Sequence, residues 1–172
     1  QALHKKFSKD TKKGVYAIAL YLIIVYYAKT IQGKVRDIFI YEDGVYIPGE
    51  DVLRKEIREI VGDRATAHAV QEILETIRDL TSRDRDSFKE NVTLLNFNNG
   101  IYDLASRELK KHDPQYVFFT KIPVDHDPTA QCPIIEKYLS EILNLDQIQV
   151  IQEWFGYSLY REYFIKKALI CV

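Results

Sequence analysis

The period of the hydrophobic and polar positions changes several times along the chain. Residues 15–28 form an apolar stretch with four tyrosines and no charge, which predicts a buried helix. Residues 38–41 and 45–47 are β-prone and flank Asp43-Gly44, a turn dipeptide typical of a β-hairpin. The chain therefore opens with a helix followed by a hairpin.

Two amphipathic helices are predicted next. Apolar residues recur at helical spacing from Val52 to Val61, and Gly62 is placed to end that helix. Thr66 is the predicted N-cap of the second helix. Its apolar face is assigned to Val70, Ile73, Leu74, Ile77 and Leu80, and its outward face to His68, Gln71, Glu72, Glu75, Arg78 and Asp79.

A short turn between two helices has two interpretations. The pair is either a helix-turn-helix that presents its second helix to a DNA major groove, or an ordinary helix pair packed for stability. The three outward carboxylates would repel phosphates, so the pattern favours the ordinary pair.

The middle of the chain predicts loops and short strands. Residues 81–91 are polar and predict an exposed loop, while residues 93–97 and 101–104 flank Asn98-Asn99-Gly100 and predict a second hairpin with left-handed turn residues. Further short strands are expected within residues 109–112 and 117–124.

Two helices are predicted in the C-terminal third. Pro133 suits the first turn of one helix, and Asp146 is the expected cap of the next. Residues 134–143 carry an amphipathic face, and the bulky apolar stripe within residues 148–159 is assigned to a core in preference to a binding site. Together these patterns predict an α+β fold, in which short β-hairpins or a meander pack with an N-terminal helix, a helix-turn-helix-like pair and two C-terminal helices.

Composition and charge narrow the class of protein. The 172 residues include 47% apolar residues, 24 Lys plus Arg and 25 Asp plus Glu, which suits one core or two small ones and excludes a strongly basic nucleic-acid binder. Cys132 and Cys171 support neither a disulfide framework nor a zinc site, so an intracellular, cytoplasmic location is expected. The apolar stretch is shorter than the roughly 20 residues that cross a bilayer, and no membrane association is expected.

Candidate chemistry is sparse. No Gly-rich phosphate-binding loop and no G-x-S-x-G nucleophile motif occurs in the sequence. His-Asp-Pro occurs at residues 112–114 and 126–128, which either forms turns or brings a carboxylate and an imidazole together for metal binding or general-base catalysis. The turn interpretation is favoured, and neither a metal nor a cofactor is expected in this segment.

Several segments, taken in order, resemble one known family. The segments that carry the resemblance are residues 41–46 (YEDGVY), 96–104 (NFNNGIYDL), 111–116 (KHDPQY), 121–133 (KIPVDHDPTAQCP), 138–143 (YLSEIL), 152–160 (QEWFGYSLY) and 167–172 (KALICV). They resemble the D5 N-terminal-like domain, which precedes the superfamily 3 helicase motor in phage, plasmid, archaeal and poxvirus-type primase-helicases. The resemblance covers residues 35–172, and residues 1–34 match less clearly.

The resemblance implies a DNA replication protein. It divides the chain into a basic lead and apolar helix (residues 1–34), a helicase-associated accessory domain (35–163) and the first strand of an ATPase domain (164–172) that should continue beyond Val172 into a Walker A loop. ATP and Mg²⁺ would then bind the motor of a homo-oligomeric, ATP-dependent parent helicase, with or without a primase domain. No catalytic residue carries over to this segment, which is not expected to be an enzyme by itself.

The expected partner of this segment is DNA, either single-stranded or at a replication fork. The first thirteen residues hold five lysines against one aspartate, and other basic residues lie in predicted exposed positions. The candidate contacts are Lys5, Lys6, Lys9, Lys12, Lys13, Arg83, Arg85, Lys110 and Lys111. Two alternatives stay open: a protein-interaction and oligomerisation module without DNA contact, and a free-standing enzyme that uses the His-Asp-Pro elements.

Overall fold

The computed structural model describes residues 11–33, 35–162, 164, 166 and 169, which form two units. Unit 1 comprises the described residues of Gln1–Glu90 together with His112–Thr120, and unit 2 comprises Asn91–Lys111 and the described residues of Lys121–Val172. The predicted α+β class is confirmed. The expected strand at residues 164–172 falls largely outside the described residues.

The described residues of unit 1 form three helices and a four-stranded sheet. The elements in chain order are α1 (Thr11–Tyr26), β1 (Lys29–Ile31), β2 (Ile38–Glu42), β3 (Val45–Pro48), α2 (Glu50–Val61), α3 (Ala67–Thr81) and β4 (Ser82–Arg83), with 3₁₀ turns at Gly62–Arg64 and Arg85–Phe88. The strand order is β3-β2-β1-β4; β1 pairs antiparallel with β2 and parallel with β4. The parallel pair is possible because α2 and α3 lie in the connection between β1 and β4.

The β2–β3 hairpin confirms the predicted Asp-Gly turn. Asp43 and Gly44 have φ values of 46° and 84°, the left-handed angles of a type I′ turn. A Cβ atom on Gly44 would lie 2.7 Å from the imidazole of His112, so this position requires glycine for both its angle and its space.

The core of unit 1 joins all three helices to one face of β2. Ile38 and Ile40 alternate inward along the strand, as the period of two requires. The buried helical residues are Val15, Ile18, Ala19 and Leu22 of α1, Leu53, Ile57 and Val61 of α2, and Ala69, Val70, Ile73, Leu74 and Ile77 of α3. The opposite face of the sheet carries Phe39 of β2 and Tyr46 of β3. The segment His112–Thr120, which returns to unit 1, contacts both residues. The Phe39 and Phe119 rings are 5.2 Å apart, and the Tyr46 N–H donates to the Phe118 carbonyl at 2.7 Å.

The predicted caps of α2 and α3 are confirmed. Gly62, with φ 65°, donates its N–H to the Arg58 carbonyl at the end of α2, and the Thr66 hydroxyl accepts the Ala69 N–H at 3.1 Å. The assignment of Leu80 to the apolar face of α3 was wrong, since Leu80 is exposed. Thr81, predicted as the first residue of an exposed loop, is the last residue of α3 and is buried, because its hydroxyl bonds to the Thr30 hydroxyl and the Ile77 carbonyl.

Two further predictions for unit 1 need correction. The 15–28 helix is only half buried: Tyr16, Leu20 and Ile24 are exposed, because the core covers one side of α1 alone. Residues 81–91 are not a simple loop, since they contain the end of α3, β4 and a 3₁₀ turn whose Phe88 is buried.

Unit 2 contains an antiparallel meander followed by two helices. Its elements are β5 (Leu94–Phe97), β6 (Gly100–Asp103), β7 (Glu108–Lys110), α4 (Pro133–Ile142) and α5 (Leu145–Ser158), with the strands in the order β5-β6-β7. The predicted hairpin is confirmed, but the positive φ lies at Gly100 (154°) and not at the two asparagines. In place of a strand at residues 117–124, a single bridge joins Ile122 to Phe97.

The C-terminal helices differ from their prediction in two respects. Asn144, not Asp146, caps α5, because its side chain accepts the Gln147 N–H while the Gln147 side chain accepts the Asn144 N–H. Neither α4 nor α5 contains a buried residue, so their apolar stripes are not part of a core among the described residues.

Candidate nucleic-acid interface

The predicted DNA contacts are distributed over both units. Lys5, Lys6 and Lys9 lie outside the described residues. Lys12 and Lys13 lie in the first turn of α1, Arg83 in β4 and Arg85 in the following 3₁₀ turn, and all four side chains are in exposed residues of unit 1. Lys110 and Lys111 belong to unit 2. The structure therefore describes six of the nine predicted contacts, four in unit 1 and two in unit 2.

Lys110 has a structural role in its hairpin. Its ammonium pairs with the Asp103 carboxylate at 2.7 Å, and this hydrogen bond is the main cause that lowers the pKa of Asp103. Because the ion pair joins β6 to β7, the Lys110 ammonium is already engaged within its own hairpin.

Two of the predicted contacts lie side by side at the start of α1. Lys12 and Lys13 occupy the first turn, and this turn holds no acidic residue. The positive end of the helix dipole lies at the same place, so the two lysines are unfavourable for helix stability but strengthen the positive potential there. Anions such as phosphates are favoured where backbone N–H groups and cations converge in this way.

The exposed side of α1 is apolar and aromatic. No charged residue occurs between Lys13 and Lys29, and Tyr16, Leu20 and Ile24 follow one another at intervals of four along the helix. Tyrosine faces of this kind are the platforms on which unstacked bases pack in single-stranded DNA-binding proteins.

A cavity of about 640 Å³ lies in unit 1 at the end of this side of α1. Its lining residues are Ile23, Ile24, Tyr27, Ala28, Lys29, Tyr46, Asp113, Pro114 and Gln115. One wall is the end of α1 and the start of β1, and the opposite wall is the turn at residues 113–115. The cavity thus depends on the segment that returns to unit 1 after the β5–β7 meander.

Tyr27 ends α1 in an unusual conformation. Its φ is 47°, and the next residue, Ala28, donates its N–H to the Ile23 carbonyl at 3.2 Å. This is the helix-ending geometry at which glycine or asparagine is usual, because a larger side chain is strained there. The Tyr27 side chain is 53% exposed at the cavity, and its ring meets Tyr41 edge-on with centroids 6.1 Å apart.

One carbonyl accepts hydrogen bonds from two residues that line the cavity. The Pro114 carbonyl accepts the Tyr46 hydroxyl at 2.6 Å and the Lys29 ammonium at 3.0 Å. The same ammonium lies 4.5 Å from the centre of the Tyr46 ring, a cation–π contact. Burial lowers the pKa of Lys29 and raises that of Tyr46, so Tyr46 is neutral at neutral pH.

A tyrosine behind the cavity has an unsatisfied hydroxyl. The Tyr41 ring packs 5.4 Å from that of Tyr46, and its buried hydroxyl has no hydrogen-bond partner in the described part of the chain. Burial, with a smaller contribution from Asp113, raises the pKa of Tyr41. Tyr27, Tyr41 and Tyr46 therefore form an aromatic cluster beside the lysine.

The outward face of α3 is occupied by ion pairs. Arg78, predicted to face outward, is buried because Glu50 of α2 and Glu75 both pair with its guanidinium. Asp79 pairs with Arg36 at 2.6 Å. This network fixes α3 against its neighbours, as expected of a helix pair packed for stability.

Both His-Asp-Pro elements form turns, as the favoured interpretation predicted. The Asp113 side chain accepts the Gln115 N–H at 2.8 Å, and that of Asp127 accepts the Thr129 N–H at 2.8 Å. His126 stacks on Tyr102 with ring centroids 4.3 Å apart. Within the described residues, no group of three or more His, Cys, Asp or Glu side chains is arranged to hold a metal ion.

Sequence reasoning missed the residues that line the cavity. Tyr27, Lys29 and the 113–115 turn are brought together only by the fold, since Lys29 and Pro114 are 85 residues apart. The one local signal was the aromatic pair Tyr26-Tyr27 at the end of a helix without a glycine to terminate it.

None of the helices within the described residues has the length and apolar character needed to cross a bilayer. A protein-family model described as D5 N terminal like matches residues 1–144. The match includes the first 34 residues, which the resemblance found in the sequence had left aside. A search of curated proteins finds no match.

Proposed function

Because this chain belongs to the D5 N terminal like family, we propose that it is the accessory N-terminal domain of a DNA replication primase-helicase. In this proposal unit 1 contacts single-stranded DNA, or the single strand at a fork, and the domain helps to assemble an ATP-driven superfamily 3 helicase. ATP and Mg²⁺ act in the motor of the parent protein, and this segment itself is not an enzyme; its sequence holds no Gly-rich phosphate-binding loop.

The observation that carries the DNA contact is the first turn of α1. Lys12 and Lys13 lie there with the positive end of the helix dipole, and the exposed aromatic side of the same helix begins at Tyr16. Phosphates on the lysines and bases on the tyrosines would be the two halves of one single-strand interface.

The test is the double charge reversal Lys12→Glu with Lys13→Glu. Binding of a fluorescein-labelled oligothymidylate, followed by anisotropy at low salt, should weaken about tenfold or more, since two phosphate contacts become repulsive. The matched control reverses Lys55 in α2 and Lys137 in α4, which changes the net charge equally at exposed positions on other helices. Equal weakening by both double variants would mean that only net charge matters and would remove α1 from the interface.

A second function is supported by a different observation. Helices α4 and α5 bury no residue, and Ile134 and Leu145 are each 84% exposed. Amphipathic helices this short gain their stability from a covered apolar face, so an oligomerisation module without DNA contact is the alternative. Sedimentation velocity tests it: the mass should rise with concentration, and Ile134→Glu should abolish that rise, whereas a monomer at all concentrations contradicts it.

A further inference from the structure

We propose that the cavity at the end of α1 is a nucleobase site, which holds one unstacked base of the single strand between Tyr27 and the Asp113–Gln115 turn. This inference rests on the proposed function and deepens it, since it names the part of the DNA that the aromatic side of α1 receives.

The charge of the cavity favours a neutral ring over a phosphate. Lys29 and Asp113 are the two charged residues in its lining, and the Lys29 ammonium already donates to the Pro114 carbonyl and lies over the Tyr46 ring. A phosphate would therefore meet the Asp113 carboxylate without a cation dedicated to it. A base is a flat, neutral heterocycle, and its N–H groups suit a carboxylate acceptor.

The walls of the cavity suit a planar apolar ligand. Ile23, Ile24 and Ala28 supply apolar surface and Tyr27 supplies a half-exposed ring, while the Gln115 amide adds a donor and an acceptor at the rim. A volume of about 640 Å³ lies within the range of roughly 300–1,000 Å³ typical of small-molecule sites. The site thus combines an aromatic face with a few polar groups, the usual composition of a pocket that reads a base.

The conformation of Tyr27 is the strongest argument for a role at this site. A non-glycine residue in the left-handed region is strained, and a bulky one is rare there. Glycine or asparagine would end α1 without that strain, and yet the chain places a half-exposed tyrosine at the mouth of the cavity. Strain kept at an exposed side chain is expected where the side chain contacts a ligand.

The cavity and the lysines lie at opposite ends of one helix. Lys12 and Tyr27 are separated by fifteen positions, which is about 22 Å along a helix axis. A strand whose phosphates contact Lys12 and Lys13 must span that distance before a base reaches the cavity. Oligothymidylates of two nucleotides should therefore lose the contribution of the cavity, and longer oligonucleotides should gain it.

The variant Tyr27→Asn removes the ring and suits the backbone, because asparagine tolerates the left-handed region. It should keep the thermal stability of the parent chain and weaken oligothymidylate binding about tenfold, the loss expected for one stacked base. The control is Tyr138→Ala, which removes an exposed tyrosine of α4 that does not line the cavity and should leave the affinity unchanged. Equal affinity of Tyr27→Asn and the parent chain would overturn the nucleobase site.

A second readout separates this inference from the proposed function. Deoxyadenosine, which has no phosphate, is titrated into the ¹⁵N-labelled chain, and the amide resonances of Ala28 and Gln115 should shift while those near Lys12 should not. If oligonucleotides bind through Lys12 and Lys13 but deoxyadenosine shifts no cavity resonance, the nucleobase site is wrong and the proposed function stands. A second titration uses free argininamide as a mimic of a protein side chain. If argininamide shifts these resonances and deoxyadenosine does not, the cavity receives a protein side chain and the nucleobase site is wrong. If the parent chain binds no oligonucleotide, both proposals fail.

Discussion

The Pro114 carbonyl accepts hydrogen bonds from both Lys29 and Tyr46, and we predict how much stability is lost when either donor or both are removed. Tyr46→Phe deletes one donor, a hydroxyl on a side chain that is 2% exposed, and leaves the ring and its cation–π contact in place. Lys29→Met deletes the other donor and keeps an apolar stem of similar length. In either single variant the carbonyl retains one partner.

The expected magnitudes follow from that arrangement. Tyr46→Phe should lose about 1 kcal/mol of unfolding free energy, the net value of one hydrogen bond, and Lys29→Met about 2 kcal/mol, because it removes a charged hydrogen bond together with the cation–π contact. In the double variant the carbonyl of a partly buried turn loses both donors, which adds a desolvation penalty of about 1 kcal/mol. The double variant should therefore lose about 4 kcal/mol, with a coupling energy of about 1 kcal/mol between the two sites.

The assay is urea unfolding of the four proteins, followed by far-UV circular dichroism. For a chain of this size, 1 kcal/mol corresponds to a shift in Tm of about 2–4 °C, so thermal unfolding provides an independent check. Additivity of the two single variants within about 0.3 kcal/mol would refute the shared acceptor, and with it the account of how the 113–115 turn is held over the cavity.

Two further predictions concern stability. Gly100→Ala should destabilise unit 2 by about 3 kcal/mol in urea unfolding, because Gly100 has a φ of 154° and a Cβ there would lie 2.4 Å from the Lys110 carbonyl oxygen. Gly156→Ala should instead stabilise α5 by about 0.5–1 kcal/mol, because a Cβ there has no neighbour within 4 Å. A more stable Gly100→Ala than Gly156→Ala would contradict the structure. Burial raises the pKa of Glu50, but hydrogen bonds and charge from Arg54 and Arg78 outweigh burial and hold the pKa below its usual value of 4.5. The stability that the Glu50 carboxylate contributes is therefore complete above about pH 4.5 and is lost as the pH falls through the folded pKa. Glu50→Gln should flatten this acid limb of the curve of stability against pH, and an unchanged acid limb would contradict the structure.

Local signals in the sequence predicted the parts of the fold that depend on local chemistry. The Asp43-Gly44 turn, the Thr66 cap and the Gly62 stop each depend on residues within a few positions, and all three are confirmed. Asp146 was the wrong cap because Asn144, two residues earlier, forms a complete capping box with Gln147.

Long-range contacts account for the errors. Arg78 was assigned to the outward face of α3 because an arginine at such a position is normally solvated, but Glu50 of another helix neutralises it and allows its burial. Thr81 is buried for a similar reason, since its hydroxyl pairs with Thr30 from β1. Periodicity within one helix contains no information about such partners.

The candidate site was predicted only in part. The lysines of α1 follow from local charge, and the structure places Lys12 and Lys13 in an exposed first turn. The cavity could not be predicted, because it needs Tyr27 in a left-handed conformation and a turn that returns to unit 1 from beyond the meander. Neither feature leaves a periodic or compositional signal.

The most direct test of the central claim is the salt dependence of single-stranded DNA binding by the unmodified chain. Anisotropy of a labelled oligothymidylate, measured at several salt concentrations, gives the slope of log affinity against log salt. Each phosphate contact on a single strand contributes about −0.7 to the slope. Contacts from Lys12 and Lys13 alone therefore predict a slope of about −1.4, and further contacts would make it steeper. Absence of binding at low salt, or a slope near zero, would contradict a DNA-contacting accessory domain and favour the oligomerisation module.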